Sequence, residues 1–387
     1  MFRRLAHRRH HAHHAFSESK QQQRSHLHNL SQPVRHEPLR ILFCGADEFS
    51  IYSLQSLHRL QQNHNGRVES IEVICRPDKR VGRGLKRIQQ VPIKAVAAEL
   101  GLKLHQLDSF KDFNQSSSID LVVAVSFGLL VPASLLKTAT YGGLNVHPSL
   151  LPEFRGAAPI QHALLQRRLT TGVTLQTMHP TKFDHGLILN QAEVAIPPES
   201  RPQDLVELLG PMGAQLLVDG LQNGSFIDPK PLETLDRVKR KPSYAPKLGP
   251  DDRRIDWGSW TAEDIFTKDR VLGSLWDDTT YAACSGAPQM TGNKSDAAAR
   301  RVKYTGPWQI AASSDTYLPL FDRAAQAGGP VHLTYRDGSH TLAFLCHEQG
   351  FPYLLQPTGV TIEGEAKAGG FTKLLAMLTR RLENSTP

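Results

Sequence analysis

The sequence predicts an α/β protein in two parts: a doubly wound, Rossmann-like parallel sheet, followed by a smaller all-β, OB-like barrel domain. Apolar strand-like runs alternate with helical stretches from residue 39 to residue 221, which is typical of right-handed crossovers between parallel strands. One run, Ile119–Ser126, is almost entirely apolar, as expected for a central strand buried on both faces. After residue 248 the pattern changes to short apolar runs between turn residues, and this favours a β domain.

The elements of the first domain are marked by local signals. Gly45 turns the chain after the first apolar run, and Pro92 suits the first turn of a helix. In chain order we expect strand Leu39–Cys44, a helix from Asp47 to Leu60, strand Ser70–Cys75, a helix from Pro92 to Leu100, strands Ile119–Ser126, Gly142–Val146 and Gly172–Met178, and a closing helix Gln203–Leu221.

Composition sets the domain boundaries. Residues 226–247 contain four prolines and form the expected linker. We therefore expect the α/β domain at 37–225 and the β domain at 248–387. The polar, alanine-rich Gly286–Arg301 should be a mobile loop. The strands expected in the β domain include Tyr317–Leu320, His332–Tyr335, Thr341–Cys346 and Tyr353–Gln356.

The first 36 residues differ from the rest of the chain in charge. They hold seven basic side chains and a single acid, a formal charge of +6 out of the +8 of all 387 residues. A segment rich in Arg, Ser and Gln that lacks an apolar core is typical of an organellar presequence. We therefore expect 1–36 to be a disordered targeting segment and the protein to act in the mitochondrial matrix. The alternatives are a disordered tail of a cytosolic protein and a histidine-rich metal tract.

The apolar and cysteine patterns exclude several classes of protein. No apolar run approaches the roughly 20 residues that span a bilayer, so a transmembrane protein is excluded. The four cysteines lie far apart and form no C-x-x-C pair, so disulfides, structural zinc and a cysteine nucleophile are not indicated. We expect Cys44 and Cys75 to be buried thiols, and we expect no bound metal.

Three polar residues lie near the carboxyl ends of predicted strands, which is where a ligand would bind. Asn145 and His147 are two positions apart, so on a strand their side chains share a face near the carboxyl end, where open α/β sheets bind ligands. Asp184 follows the strand-like Gly172–Met178. An amide donor, an imidazole and a carboxylate suit direct transfer of an acyl group to an amine. Taken alone, Asn-x-His and Asp-x-Gly are also typical of turns.

The longer motif around these residues resembles a known family. The sequence L-N-V-H-P-S-L-L-P-E-F-R-G-A-A-P-I, from Leu144 to Ile160, resembles the signature of the folate-dependent formyltransferases, and Asp184 with Gly186 matches their second motif. The resemblance implies that Asn145 donates a hydrogen bond to the oxyanion of a tetrahedral intermediate. It implies that His147 polarises or handles a proton, and that Asp184 orders His147 and a water.

The same resemblance implies the formyl donor and its site. The donor would be 10-formyltetrahydrofolate, acting as a co-substrate. Residues near the motif and after the central strand would contact it, namely Phe127, Gly128, Ser149, Leu150, Leu151 and Pro152.

A basic segment indicates the acceptor. Arg76–Arg87 carries six cations and one acid in twelve residues, a charge of +5, and Gly82 and Gly84 should keep it mobile. By composition it could be a solvated loop, but it resembles the insertion of the methionyl-tRNA formyltransferases. The segment from Tyr244 to Trp257 likewise resembles the start of their C-terminal domain. Initiator methionyl-tRNA would then bind through Lys79, Arg80, Arg83, Lys86 and Arg87.

Three other functions stay open from the sequence. The chain could formylate a small amine such as glycinamide ribonucleotide or an amino sugar, although such a substrate needs neither the basic segment nor a second domain. It could be a folate-linked deformylase. It could also be a non-catalytic RNA-binding relative, against which the intact Asn145, His147 and Asp184 argue. We expect a monomer.

Overall fold

The computed structural model describes most of the chain, in two compact units. It covers residues 37–63, 67–113, 118–232, 240–285, 300–311, 316–319, 329–334, 340–348, 351–365 and 369–383. The expected presequence and positions 286–299 of the expected mobile loop lie outside these residues. The first unit runs to Arg155 and adds Gly172–Val194 and Val206–Ser243, and the second comprises Gly156–Thr171, Ala195–Leu205 and the chain from Tyr244.

The first unit contains a seven-stranded sheet within its described residues. Its strands are β1 Leu39–Gly45, β2 Val68–Cys75, β5 Lys103–Gln106, β6 Leu121–Val125, β7 Gly143–His147, β8 Thr170–Thr177 and β9 Ile188–Ala195. They lie in the order β5-β2-β1-β6-β7-β8-β9, and β1 pairs in parallel with β2 and β6, β2 with β5, and β6 with β7. The predicted Rossmann-like α/β fold is confirmed. Its helices are α1 Glu48–Gln62, α2 Ile93–Glu99, α3 Ala133–Thr138 and most of α5 Pro202–Asn223.

One strand departs from the expected parallel pairing. β8 runs antiparallel to β7, with Asn145 opposite Gln176 and His147 opposite Thr174. Because the pair is antiparallel, β8 begins at the end of the sheet where β7 finishes. A parallel neighbour would need a crossover connection to the opposite end of the strands. The antiparallel pairing places side chains of β8 directly beside those of β7, and these include residues of the candidate site.

The central strands are held by burial on both faces. Every residue of β6 is buried, as the apolar run predicts. α1 begins where expected, because the Asp47 side chain accepts a hydrogen bond from the backbone N–H of Ser50 at 3.1 Å. Such a cap satisfies one of the free donors at a helix start. Phe49 and Leu57 are among the α1 side chains buried in the core.

A partly buried ion pair joins the amino-terminal ends of two central strands. The Arg40 guanidinium donates to both carboxylate oxygens of Asp120 at 2.8 Å, and the Arg40 backbone N–H donates to the same carboxylate at 2.9 Å. Thr140 adds a fourth donor at 3.1 Å. The hydrogen bond from Arg40 is the main cause that lowers the pKa of Asp120 to about 2.

The segment Lys79–Gln89 is a β-hairpin, where the sequence led us to expect a mobile loop. β3 (Lys79–Val81) pairs antiparallel with β4 (Arg87–Gln89), and a single 3₁₀ turn, Arg83–Leu85, joins them. Gly82 and Gly84 both have positive φ, so these glycines shape a turn that other residues adopt at a cost. Glycine content alone could not separate a tight turn from a mobile loop.

The described strands of the second unit are β10 Trp276–Asp277, β11 Val302–Ile310, β12 Thr316–Pro319, β13 Gly329–Thr334, β14 His340–Glu348 and β15 Phe351–Ile362. Over these residues they form a six-stranded sheet in the order β10-β11-β15-β14-β13-β12. The predicted small β domain is confirmed, and the four expected strands lie in β12 to β15, except that Leu320 and Tyr335 are outside the described residues. The sequence did not indicate β10, β11 or the helices of this unit. The helices are α4 Pro159–Leu165, α6 Ala262–Leu272, α7 Thr280–Ser285 and α8 Gly370–Glu383.

An aromatic cluster forms the core of the second unit. Trp257 stacks on Phe344 with ring centroids 4.9 Å apart, and Tyr304 and Trp308 meet both rings edge-on. Trp257 also donates to the buried Asp277 carboxylate at 3.2 Å. Trp257 is therefore part of the core of this unit.

All four cysteines are buried free thiols. Burial raises the pKa of Cys75 to about 11 and the pKa of Cys284 and Cys346 to about 12, and it raises that of Cys44 as well. None of the described helices is long and apolar enough to cross a bilayer.

Asp120→Asn should lower the free energy of unfolding by about 1–2 kcal/mol at pH 7. This value follows from the difference between the pKa of Asp120 in the folded and the unfolded protein, reduced because the ion pair is partly exposed to solvent. A carboxylate with a lowered pKa stabilises the fold above its unfolded pKa of about 3.9, and it loses that effect as the pH falls towards about 2. Urea unfolding should therefore show the difference from wild type shrinking to about half at pH 3.

The matched control is Asp108→Asn. Asp108 pairs with Arg76 at 2.7 Å but is 70% exposed, and exposed pairs contribute little. A loss of stability in the Asp120 variant that is the same at both pH values, or equal to that of the control, would contradict this assignment.

Candidate active site

The candidate site lies in the first unit, at the carboxyl ends of β6 and β7. Asn145 and His147 project from β7, and the register with β8 sets Gln176 across from Asn145. Directly opposite residues in an antiparallel pair share a face and approach closely. Asp184 follows β8 on the loop that leads to β9. The structure therefore brings together the three polar residues singled out in the sequence and adds a fourth.

The amide of Asn145 is held from two sides. Its Nδ2 donates to the backbone carbonyl of Ala124 in β6 at 3.1 Å, and its Oδ1 accepts from Gln176 Nε2 at 3.1 Å. A carboxamide NH₂ has two hydrogens. Over the described residues, the second one has no acceptor, so it can be offered to a ligand oxygen.

His147 and Asp184 form a buried pair. His147 Nε2 lies 2.9 Å from the backbone carbonyl of Phe154. Because a carbonyl only accepts, Nε2 carries the hydrogen. Nδ1 then faces Asp184 Oδ1 at 3.4 Å, and both side chains are less than one-tenth exposed. Nδ1 of His147 therefore faces a carboxylate oxygen, which also only accepts hydrogen bonds.

Gln176 was missed by the sequence analysis. It is 1% exposed and uses its whole amide: Nε2 donates to Asn145 and to Asp184 Oδ1 at 3.3 Å, and Oε1 accepts from the backbone N–H of Gly186 at 3.2 Å. A glutamine next to apolar residues in a predicted strand was the available signal, because buried polar groups need partners. Its partners could not be named without the register between β7 and β8.

The backbone is unusual around these groups. Ser126, Phe154 and Asp184 all have positive φ, at 49°, 57° and 55°. Non-glycine residues adopt this region rarely, and such residues cluster at functional sites. At Asp184 this conformation directs the side chain towards both His147 and Gln176.

The loop after β7 is fastened to a distant part of the chain. The backbone N–H groups of Phe154 and Arg155 donate to Ser243 at 2.9 Å, and the Ser243 N–H donates to the Pro152 carbonyl at 3.2 Å. Arg240 adds an ion pair to Glu153 at 3.3 Å. This fixes the Phe154 carbonyl that orients His147.

Most of the residues expected to contact folate are buried against other residues of the protein. Ser149, Leu150, Leu151 and Phe127 are buried, and Ser149 Oγ donates to the Glu153 carbonyl at 2.7 Å. Phe127 packs edge-on against Phe110 with centroids 5.9 Å apart. Pro152 is partly buried and Gly128 is exposed. Folate contact by these six residues stays a prediction.

Burial shifts the pKa of two groups near the site. Partial burial, followed by the positive charges of Arg155, Lys182 and His179, lowers the pKa of His185, against the smaller opposing effect of the adjoining Asp184. Burial also raises the pKa of Asp47, against the hydrogen bonds from Ser50 and Ser126.

The chain matches known proteins over the whole of this unit's site. A family model described as formyl transferase matches residues 39–221. The mitochondrial methionyl-tRNA formyltransferase of Saccharomyces cerevisiae is 35% identical over 287 residues, which cover 64% of this chain and 70% of the yeast protein. The chain belongs to the methionyl-tRNA formyltransferase family.

Two further matches differ in how much of each protein is aligned. The mitochondrial methionyl-tRNA formyltransferase of Homo sapiens is 34% identical over 243 residues, and the chain spans 58% of its length. Among solved structures, the match to HypX from Aquifex aeolicus in complex with tetrahydrofolic acid covers 83% of this chain and 46% of HypX, with 16% identity and a TM-score of 0.45. All four polar site residues and the basic hairpin lie in the region matched by the formyl transferase family model.

Gly186→Ala should lower the activity of this family member by more than about tenfold, because a misplacement of about 1 Å can cost 10²-fold. A Cβ at Gly186 would overlap the backbone carbonyl oxygen of Thr177, so the loop that carries Asp184 has to move. Steady-state formyl transfer measures the loss.

Gly101→Ala is the control. Gly101 has positive φ, but open space surrounds its Cβ position. The control variant carries only the cost of a strained backbone conformation, and only the Gly186 variant should lose activity. Equal activities of the two variants would mean that the close approach of Gly186 to the Thr177 carbonyl is not needed to position Asp184.

Proposed function

We propose that the chain transfers the formyl group of 10-formyltetrahydrofolate to the α-amino group of methionine on initiator tRNA, giving formylmethionyl-tRNA for organellar translation. It is a formyl-transferring enzyme. One observation carries the proposal: Asp184 faces His147 and is joined through Gln176 to Asn145, inside the part of the chain that matches the formyl transferase family. The named relatives of yeast and human are mitochondrial methionyl-tRNA formyltransferases.

Asn145 stabilises the charge that develops during transfer. The methionine nitrogen attacks the formyl carbon, whose oxygen becomes an oxyanion. The bond from that carbon to the folate nitrogen then breaks, and the amine proton passes to the departing folate. The second Nδ2–H of Asn145 suits the oxyanion, because a fixed donor needs no rearrangement as the charge forms.

His147 and Asp184 handle the proton that the attacking amine loses. Nε2 of His147 is held by the Phe154 carbonyl, so Nδ1 and the Asp184 carboxylate are the groups that can share a proton. Asp184 also orders the water through which that proton moves. A neutral amine is the nucleophile, so this step has to work near neutral pH.

The basic hairpin supplies the contact to tRNA. Lys79, Arg80, Lys86 and Arg87 are exposed along it, and the side chain of Arg83 lies outside the described part of the structure. The one acid of the segment, Asp78, is already paired with Lys94 at 2.6 Å. The exposed cations are therefore left to bind phosphate groups.

The remaining expectations complete the proposal. Phe127, Gly128 and Ser149–Pro152 border the folate site. The protein acts as a monomer in the mitochondrial matrix, with the domain boundaries inferred from the sequence. Sedimentation of the protein lacking residues 1–36 would test the monomer, and a dimer mass would contradict it.

Asn145→Ala should lower kcat by about 10²–10³, the loss for one oxyanion donor, with little change in tRNA affinity. The assay uses protein without residues 1–36, 10-formyltetrahydrofolate and methionyl-tRNA, and glycinamide ribonucleotide as a parallel acceptor. Full activity in the variant would remove Asn145 from the mechanism.

The parallel acceptor separates the competing functions. Formylation of charged tRNA alone supports the proposal. Formylation of the small amine keeps the chemistry and overturns the substrate. No transfer to either acceptor, with tRNA still bound, would favour a non-catalytic RNA-binding relative.

Replacing Arg80 and Arg87 together by alanine should weaken tRNA binding and reduce the slope of log K against log salt by up to about 2, roughly one for each phosphate that is no longer neutralised. The control replaces Lys111 and Lys137, two exposed cations elsewhere on the same unit, and it changes the net charge equally. Equal slopes in the two double variants would mean that the hairpin acts only through net charge.

A further inference from the structure

We infer that Gln176 is a positioning residue that sets the orientation of the Asn145 amide, so that one N–H of Asn145 faces the reacting carbonyl. This inference rests on the proposed function for its catalytic consequence. The orientation itself depends only on the contacts within the first unit.

The orientation of the Gln176 amide is set by a backbone N–H, which can only donate a hydrogen bond. The backbone N–H of Gly186 is a donor, and it lies 3.2 Å from Gln176 Oε1. This places the Gln176 NH₂ against Asn145 Oδ1 at 3.1 Å and Asp184 Oδ1 at 3.3 Å. The opposite orientation would set an oxygen against two oxygens and an NH₂ against an N–H, which buried groups do not tolerate.

The orientation of Gln176 fixes that of Asn145. With Gln176 donating, Asn145 Oδ1 has to face it, and Asn145 Nδ2 has to face the other way. There it meets the Ala124 carbonyl at 3.1 Å, again a backbone group with a fixed role. Of the two Nδ2 hydrogens, Ala124 takes one, and the other remains for the oxyanion.

A rotated Asn145 amide would present its oxygen where the donor is needed. An oxygen beside a developing oxyanion repels it, so only the orientation selected by Gln176 contributes to transfer. Gln176 also donates to Asp184 and therefore fixes the carboxylate that faces His147. Because Gln176 is 1% exposed, water cannot substitute for its amide.

Gln176→Met keeps the side-chain volume and removes both polar groups. It should lower kcat about 10- to 100-fold, with KM for methionyl-tRNA and for 10-formyltetrahydrofolate changed less than about twofold, since a group acting only in the transition state affects kcat. Gln61→Met is the matched control. Gln61, on α1, bonds only the Glu69 carbonyl of β2 among described partners, and β2 is separated from β7 by β1 and β6. Its variant should keep full activity.

A double-mutant comparison separates positioning from general support of the fold. If Gln176 acts through Asn145, Gln176→Met should lower kcat by a clearly smaller factor in the Asn145→Ala background than in wild type. The loss that remains there is the part that acts through the contact with Asp184. Additive losses, or unchanged kcat in the single variant, would overturn the inference. If Gln176→Met does not fold, Gln176→Leu replaces it, because its shorter apolar side chain also removes both hydrogen-bonding groups. The same kinetic results are expected from it.

A spectroscopic measurement tests the orientation without any substrate. In protein labelled with ¹⁵N-asparagine, the side-chain amide signals of Asn145 are assigned by their absence in Asn145→Ala. Gln176→Met should shift these signals and speed their hydrogen exchange, whereas Gln61→Met should not. Unchanged Asn145 signals overturn the inference, while shifted signals in a protein that formylates neither acceptor would support the orientation and reject the proposed function.

Discussion

The antiparallel pairing of β7 with β8 is the constraint on which the site depends. In a side-by-side antiparallel pair, each residue has one direct partner, and a slip of one position turns every side chain to the other face. The observed register joins Asn145 to Gln176 and His147 to Thr174. Thr174 Oγ1 in turn bonds the carbonyl of Ser149 and the N–H of Leu151. One register therefore fixes both the amide pair and the loop that follows β7.

The polar side chains of the site are oriented mainly by backbone groups. Asn145 is bonded to the Ala124 carbonyl, His147 to the Phe154 carbonyl and Gln176 to the Gly186 N–H. Backbone groups held in a sheet or a fastened loop have little freedom, so the side chains that bond them are pre-organised. This kind of support differs from a network of side chains alone, in which each member depends on another movable group.

The fold and the centre of the site were largely predictable, and the reasons for the exceptions are physical. Strand periodicity located Asn145 and His147, and the motif spacing located Asp184. Gln176 was not found because its importance arises from pairing between strands, which a single sequence does not specify. The helix Ala262–Leu272 was missed although its Thr261–Asp264 capping box is visible in the sequence. The hairpin was missed because positive-φ glycines suit tight turns and mobile loops alike.

The four buried thiols have a consequence for how this protein's motions could be followed. A thiol reacts as its thiolate, and burial with raised pKa values suppresses that form in the native state. Alkylation would then occur only after local or global opening. Cys44 and Cys75 belong to the first unit and Cys284 and Cys346 to the second. The rates at which the four sites become labelled would thus report separately how often each unit exposes its interior, with no probe added to the chain.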